Sequence, residues 1–179
     1  MLSPLDPVVT INSLNLLTSD APLQEESRQK FLRFSLGSQD SGLLPLKQIS
    51  EVVSVTVADI LPVPEMPSCV LGIYNWRGEM LWLIDLEHLV DYPPLSRQGR
   101  GLESVMAMVI QMDGQSMGLV VQYVNDIEWH DAEQLQPAVA GLFPPKLLPF
   151  VKGYLPGVNG TVLDTEAIAR FPMWQVHRS

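Results

Sequence analysis

Short apolar segments separated by turn residues recur along most of the chain, and this pattern predicts β-strands. The segment "FLRFSL", which begins at Phe31, alternates large apolar residues with smaller or polar ones, as a half-buried strand requires. Further on, "SVMAMVIQM" and "QSMGLVVQYV" are separated by Asp113-Gly114, a pair that suits the positive φ angles of a two-residue turn. The pattern therefore predicts many short strands joined by tight turns.

Two further hairpins are predicted at Asn159-Gly160 and Arg77-Gly78. The first pair lies between "FVKGYLPGV" and "TVLD" and also suits a two-residue turn. The second interrupts "VLGIYNWRGEMLWLIDL", a run that is otherwise almost wholly apolar, and there we expect a longer loop. An arginine in such a turn either presents its side chain to a partner or ties down its own backbone, and the pattern leaves both alternatives open.

The two halves of the chain resemble each other, which indicates an internal duplication. "ISEV" in the first half is echoed by "VNDI" in the second, and a Gly-Leu pair precedes each. "WLIDLEHL" is likewise echoed by "TVLDTEAI", where Asp85 and Asp164 are placed to cap the first turn of a short helix. A glycine, Gly72 or Gly153, lies upstream of each of these segments. We therefore predict two similar modules, each made of several short strands and one helical turn.

An all-β fold of two barrels follows from this organisation, because the strands are short, helical periodicity is weak and the chain carries 15 Pro and 12 Gly residues. The strand "EMLWLI" is apolar on both faces, so we expect one face to fill its own barrel and the other to contact the second barrel. We expect a first barrel over about residues 30–100 and a second over about 101–172, flanked by tails at 1–29 and 173–179.

Composition narrows the class of protein. The formal charge of −9 opposes a surface that neutralises phosphates, so we expect no nucleic-acid partner. Cys69 is the single cysteine, which excludes an intramolecular disulfide and favours a reducing compartment. No basic residue precedes Arg28 to form an export signal, and no apolar run approaches the roughly 18 residues of a membrane helix. We therefore expect a cytoplasmic protein, associated with a membrane only indirectly.

Catalytic and cofactor-binding patterns give no anchor for an enzyme. The chain has no Walker loop and no GxGxxG, and its three histidines lack the spaced partners of a metal site. Asp85 and Asp164 suit helix capping better than acid-base chemistry. We expect no catalysis, no metal and no cofactor.

The sequence from Gly72 to Gly78, "GIYNWRG", followed by an apolar strand and Asp85-Leu86, resembles the signature of the CheW-like family. The usual form of that signature is G, two hydrophobic residues and N-L-R-G, and then an apolar strand that ends in D-L. The resemblance extends over roughly residues 30–172 and includes "FLRFSLG", "ISEVVSV", "ILPVPEMPSCVLG" and "VKGYLPGVNGTVLD".

The resemblance implies two SH3-like five-stranded barrels packed on a shared hydrophobic interface. It also implies a non-catalytic adaptor that couples the cytoplasmic tip of a methyl-accepting chemoreceptor to the regulatory domain of a CheA-type histidine kinase, in chemotaxis or pilus-based motility. The alternative is a small-ligand-binding β-barrel protein. An adaptor should expose an apolar groove near Ile49 and Arg77, whereas a ligand barrel should enclose an apolar pocket with converging polar groups.

Family members use the arginine that matches Arg77 at the receptor interface, so the resemblance favours partner contact for this residue. Its planar guanidinium is suited to a carboxylate or to backbone carbonyls. Other positions have a structural alternative: a turn role for asparagine and glycine, and a core role for the tryptophan and isoleucine. The predicted partner-binding residues are Arg77, Ile49, Glu51, Asn75, Trp76 and Gly78.

The chain departs from the family pattern at several positions. Trp76 replaces the leucine of N-L-R-G, and Trp82 stands where a proline is usual. Because Trp82 lies between two leucines in an apolar strand, we expect it in the core. Gly42 replaces an aromatic residue that often precedes the "LLPL" strand.

Overall fold

Eleven strands in two sheets make up most of the computed structural model, which describes residues 27–97 and 101–175. The strands are β1 (Arg28–Leu36), β2 (Asp40–Pro45), β3 (Ile49–Thr56), β4 (Val70–Trp76), β5 (Glu79–Asp85), β6 (Ser104–Met112), β7 (Gln115–Val121), β8 (Val124–Asp131), β9 (Gln136–Pro137), β10 (Val151–Leu155) and β11 (Gly160–Leu163). The all-β prediction is confirmed.

The helices are short. They are α1 (Leu86–Leu89), α2 (Thr165–Ala169) and α3 (Pro172–Gln175), with 3-10 turns at Leu46–Gln48, Val57–Asp59, Leu95–Arg97, Ala132–Gln134 and Leu148–Phe150. No helix in the described part of the chain is long and apolar enough to span a membrane. The predicted tails lie largely outside the described residues, but β1 already begins at Arg28 and α3 extends to Gln175.

The strand order shows the predicted duplication. The first sheet runs β8-β1-β2-β11-β10-β9 and the second runs β3-β6-β7-β5-β4. If β1 to β5 are matched with β6, β7, β8, β10 and β11, the first five positions of the first sheet repeat the order of the second. Each sheet contains one parallel pair, β2 with β11 and β5 with β7, and these pairs also correspond.

The boundary predicted near residue 100 does not match the strand pairing. β1 and β2 pair with strands of the second half, and β6 and β7 pair with strands of the first half. The first barrel is therefore built from residues 28–45 and 124–163, and the second from residues 49–121. The physical reason is that the opening hairpin of each half joins the sheet of the other half. β2 pairs in parallel with β11, and β7 pairs in parallel with β5.

The main hydrophobic core lies between the barrels. It contains Phe34 and Leu44 from the first sheet, and Ile84, Met108 and Leu119 from the second. A smaller cluster fills each barrel on the opposite face of its sheet. In β5, for instance, two leucines enter the second barrel while the isoleucine faces the core between barrels. The expectation that this strand is covered on both faces holds for its end, Leu83–Asp85, whereas Glu79 and Met80 at its start are exposed.

The three hairpins form, with two corrections. Asp113-Gly114 is the predicted two-residue turn, since Met112 pairs with Gln115. Arg77-Gly78 is also a two-residue turn rather than a longer loop.

The third hairpin has a longer loop than predicted, because Leu155 pairs with Gly160 across residues 156–159. Positive φ angles there belong to Gly157 and Asn159.

Both predicted helix caps are present. The Asp85 carboxylate accepts a hydrogen bond from the His88 backbone N–H at 3.0 Å. The Asp164 carboxylate accepts hydrogen bonds from the backbone N–H groups of Glu166 and Ala167 at 3.0 and 3.1 Å. These bonds satisfy N–H groups that have no partner within their helix.

A polar network centred on Arg33 holds the strands of the first barrel together. Its Nη2 donates to Glu128 at 2.9 Å on the neighbouring strand, and Nη1 donates to Ser41 at 2.6 Å. The guanidinium also donates to the backbone carbonyl of Val158 at 3.1 Å. The hydrogen bond from Arg33 lowers the pKa of Glu128 to about 2, and His130 contributes in the same direction.

This network predicts acid sensitivity. Because the pKa of Glu128 is depressed from 4.5 to about 2, its stabilising effect is fully present above pH 4.5 and is lost as pH falls towards 2. Glu128→Gln is expected to lower the free energy of unfolding by about 2 kcal/mol at pH 7 and by much less near pH 2. Urea denaturation at several pH values measures this difference. Asp126→Asn, on the same strand, is the control, and parallel pH curves for wild type and Glu128→Gln would contradict the prediction.

Candidate functional site

The turn between β4 and β5 presents Arg77 at one end of the second barrel. Arg77 has φ 52° and Gly78 has φ 80°, as the two central residues of a tight hairpin turn require. Asn75 stabilises the turn, because its Oδ1 accepts a hydrogen bond from the Gly78 N–H at 3.0 Å. Arginine rarely adopts a positive φ, so this backbone conformation is strained.

Arg77 forms a cluster with Glu51 and Trp76. One Glu51 carboxylate oxygen lies 2.9 Å from Arg77 Nη2 and accepts a hydrogen bond from Trp76 Nε1 at 3.1 Å. The guanidinium carbon lies 5.2 Å from the centre of the Trp76 ring. Because β3 and β4 are the two edge strands of their sheet, this cluster joins edges that share no backbone ladder.

The cluster leaves most of Arg77 accessible. Its side chain is 70% exposed, whereas Trp76 is buried at 8% and serves as the apolar support. Among the described residues, no hydrogen bond runs from the guanidinium to a carbonyl of its own loop. An exposed ion pair such as that with Glu51 stabilises the fold by only about 0–1 kcal/mol. The geometry therefore leaves Arg77 able to exchange Glu51 for another acceptor.

Ile49 lies apart from this cluster. The β3–β6 pairing shifts register between Ile49 and Glu51, so the strand alternation that would place them on one face is broken. Ile49 is half-buried and packs against the core between the barrels. The cleft beside it, of about 600 Å³, is lined mostly by polar residues, including Lys47, Gln48 and Ser50. The apolar groove expected near Ile49 is therefore not found there.

An exposed apolar surface lies on the same hairpin as Arg77, on the face of the β4–β5 pair opposite to Trp76. Met80 is 71% exposed and pairs with Asn75, while Leu61 is 62% exposed and is hydrogen-bonded to the backbone of Ile73. Trp82 lies opposite Ile73 and is half-buried, so its predicted core position is wrong. We call Leu61, Ile73, Met80 and Trp82 the β4–β5 strip.

The β4–β5 strip was missed in the sequence, although its signal is present. Met80 and Trp82 alternate with the buried leucines of β5, but an apolar residue on either face looks the same in the sequence. Met117 lies opposite Trp82 in the parallel pairing and belongs to the core between the barrels. The strip is therefore an exposed continuation of that core.

An apolar cavity of about 290 Å³ opens at another part of the second barrel. It is lined by Val57, Ile60, Leu71, Leu95, Ser96, Gly101, Leu102 and Val105. Ser96 supplies the one side-chain hydroxyl in this lining, and no lining residue is titratable. The converging polar groups that would favour a small-ligand barrel are not among these residues.

The sequence also holds a G-x-S-x-G pattern, "GQSMG", which begins at Gly114. In hydrolases such a serine lies on a sharp turn between a strand and a helix. Ser116 instead lies within β7 and accepts a hydrogen bond from Gln111 Nε2 at 3.4 Å across the hairpin. The spacing matches that of a nucleophile elbow, but the structural setting of Ser116 does not.

Cys69 also lacks the features of a nucleophile. It is buried, and burial raises the pKa of its thiol, so the thiol stays protonated at neutral pH. Among the described residues, no group of three His, Cys, Asp or Glu side chains is placed to hold a metal ion.

Fold and site together define a protein of two interlocked SH3-like β-barrels, with an exposed arginine in the turn of a hairpin that also carries an apolar strip. A family model described as the CheW-like domain matches residues 30–171. The chain therefore belongs to the CheW-like family, as its "GIYNWRG" signature predicted.

Two relatives show the extent of the likeness. The chain is 29% identical over 111 residues to Chemotaxis protein CheW of Klebsiella aerogenes, and the match covers 62% of this chain and 62% of that protein. The chain thus spans less than two thirds of this relative's length. Scaffolding protein TtCheW of Thermoanaerobacter tengcongensis has a TM-score of 0.64 at 23% identity, over 76% of this chain and 88% of that chain. This likeness confirms the fold of two SH3-like barrels.

Proposed function

We propose that the chain is a cytoplasmic, non-catalytic adaptor that holds a methyl-accepting chemoreceptor's tip against the regulatory domain of a CheA-type histidine kinase. The observation that carries the proposal is the Arg77 guanidinium, 70% exposed in the strained turn of the hairpin that carries the β4–β5 strip. The relatives named as a chemotaxis protein and as a scaffolding protein support it.

The surface suits an apolar helix that carries an acceptor group. The β4–β5 strip offers Met80 and Leu61 to apolar side chains, and Arg77 offers its guanidinium to a carboxylate or a backbone carbonyl. Trp76 supports the guanidinium, and Glu51 holds it until a partner replaces the ion pair.

The other three predicted residues act less directly. Asn75 and Gly78 fix the turn, and Ile49 positions β3 through the core between the barrels.

The proposed mechanism is geometric. By fixing the kinase regulatory domain beside the receptor, the adaptor lets the receptor's conformational equilibrium bias kinase activity. Coupling of this kind requires contacts that differ in strength between the receptor's states. The exchangeable Glu51–Arg77 ion pair allows such a difference, because Arg77 can contact either Glu51 or the partner.

Co-purification tests the proposed function. The tagged chain, incubated with an extract of its source cells, is expected to recover a chemoreceptor and a CheA-type kinase that mass spectrometry identifies. Recovery of neither protein would argue against the adaptor function.

Loss of the Arg77 side chain is expected to separate binding from stability. Arg77→Ala should weaken binding of the receptor's cytoplasmic fragment by about 2 kcal/mol, roughly thirtyfold. The free energy of unfolding should change by less than about 1 kcal/mol, because the lost ion pair is exposed. Titration calorimetry and urea denaturation measure the two quantities.

Arg77→Asn is the matched variant, because asparagine adopts a positive φ more readily than arginine. It should retain or raise stability while binding as weakly as Arg77→Ala. If both variants bind normally and Arg77→Ala is strongly destabilised, Arg77 is a structural brace and not a partner contact.

A further inference from the structure

A carboxylate from the second barrel is buried against a turn of the first barrel. Glu87 belongs to α1, which follows β5, and its side chain is fully buried at 0% exposure. Its Oε1 accepts a hydrogen bond from the backbone N–H of Gly37 at 2.7 Å, in the turn between β1 and β2. Its Oε2 is also buried, and it has no hydrogen-bond partner among the described residues.

Tyr92 strengthens the same contact. Its backbone N–H donates to the Glu87 carbonyl at 2.9 Å, and its hydroxyl donates to Asp40 at 2.6 Å, just past the turn. Its ring fills the space above Gly37, where an added Cβ would lie 2.5 Å from the ring. The segment from Glu87 to Tyr92 thus holds the β1–β2 turn at both ends.

The duplicated half shows that the fold does not require this burial. Glu166 occupies the corresponding position, two residues after the capping aspartate, yet its side chain is 58% exposed and pairs with Arg170 at 2.8 Å. Arg170 in turn lies 3.6 Å from Asp113 in the corresponding β6–β7 turn. The second half thus joins helix and turn through exposed ion pairs, whereas the first half uses a buried acid.

We propose that Glu87 is a proton-controlled latch between the two barrels, which holds the β1–β2 turn when protonated and loosens it when ionised. Ionisation places a charge on a carboxylate whose second oxygen accepts no hydrogen bond from the described residues, and the ion pairs of those residues include none with Glu87. Opening the turn exposes the carboxylate to water and relieves the cost of burying that charge.

The surrounding groups favour the protonated form. Burial raises the pKa of Glu87 from 4.5 to about 7, and the negative charge of Asp85 adds to the shift, while the backbone groups of Gly37 and Gln122 oppose it. Burial and Asp40 raise the pKa of Tyr92, so its hydroxyl keeps its proton throughout this range. The His88 ring is a further ionisable group on this segment, and its Nδ1 lies 3.4 Å from the backbone carbonyl oxygen of Tyr92.

The direction of the pH effect follows from linkage. Because the pKa of Glu87 is higher in the closed state than in water, protonation stabilises the closed turn, and closure weakens as pH rises above 4.5 and levels off above about 7. Between pH 6 and pH 8, the equilibrium constant for opening should increase roughly tenfold.

Hydrogen exchange of the isolated protein tests the latch independently of its proposed partners. The protection factor is the intrinsic exchange rate divided by the observed rate at the same pH. For the peptide that covers residues 36–41, this factor should fall roughly tenfold between pH 6 and pH 8. Glu87→Gln should abolish this pH dependence, because the amide does not titrate. Glu166→Gln, the matched control, should retain it. Equal pH dependence in wild type and Glu87→Gln would overturn the proposal.

A measurement on the wild-type protein keeps the test valid if Glu87→Gln does not fold. With 13C-labelled glutamate carboxyls, one side chain should titrate near pH 7, and the amide resonance of Gly37 should shift with the same midpoint. If every glutamate titrates below pH 5, or if the Gly37 resonance does not follow, Glu87 is not a latch.

Discussion

Phe34→Ala is expected to lower the free energy of unfolding by about 3–5 kcal/mol. The Phe34 side chain is fully buried in the core between the barrels, so its removal leaves a cavity between two sheets that cannot both close around it. Its ring also covers Gly42, where an added Cβ would lie 2.5 Å from the ring. Urea denaturation followed by tryptophan fluorescence measures the loss.

Ile127→Ala is the control for this prediction. Ile127 lies on the neighbouring strand but is 55% exposed, so its truncation should cost less than about 1 kcal/mol. Similar losses for the two variants would show that the core between the barrels does not dominate stability.

Gly72→Ala is expected to lower the free energy of unfolding by at least about 3 kcal/mol, because two separate costs combine. An added Cβ would lie 2.1 Å from the carbonyl oxygen of Leu61, and the φ of 142° is strained for alanine. Relief of the clash requires loss of the paired backbone hydrogen bonds, each 2.9 Å, between Leu61 and Ile73.

Gly101→Ala provides the comparison, since an added Cβ there meets no atom within 4 Å. It should change stability by less than about 0.5 kcal/mol. If Gly72→Ala is tolerated equally well, the close approach of Leu61 does not explain the signature glycine. The corresponding Gly153 makes the same test possible in the other barrel, where the Cβ would lie 2.3 Å from the Gln136 carbonyl oxygen.

Local features of this fold were predictable because they depend on neighbouring residues. Asp113-Gly114 favours a two-residue turn, and Asp85 and Asp164 cap their helices through their own first turns. Repetition of these local signals also revealed the duplication. The exchange of opening hairpins was not predictable, because either half could have paired with itself without altering any local pattern.

The candidate site was predictable in part for the same reason. Asn75, Trp76, Arg77 and Gly78 share one hairpin and stay together, and Glu51 joins them from β3. Ile49 does not join this cluster, because the register shift between Ile49 and Glu51 breaks the alternation of side chains along β3. Such a shift depends on the partner strand β6, which the sequence of β3 does not contain.

Glu87 gave no signal in the sequence because "LEHL" is an ordinary short helical turn. Its burial depends on Gly37 and Tyr92, which come from a different strand connection and from the segment beyond the helix. Glu166, in the same local setting, remains exposed. Burial of a side chain by distant segments is therefore the property that local patterns describe least well.

The exchange of hairpins also sets an order in which a nascent chain is able to mature. The second barrel uses one continuous stretch, 49–121, so its partners are all available once that stretch is synthesised. β1 and β2 are synthesised earlier, but their own sheet is complete only after β8 and β11 have been synthesised and paired with them. Such long-range pairing slows folding, so the earliest residues of the domain are among the last to be secured.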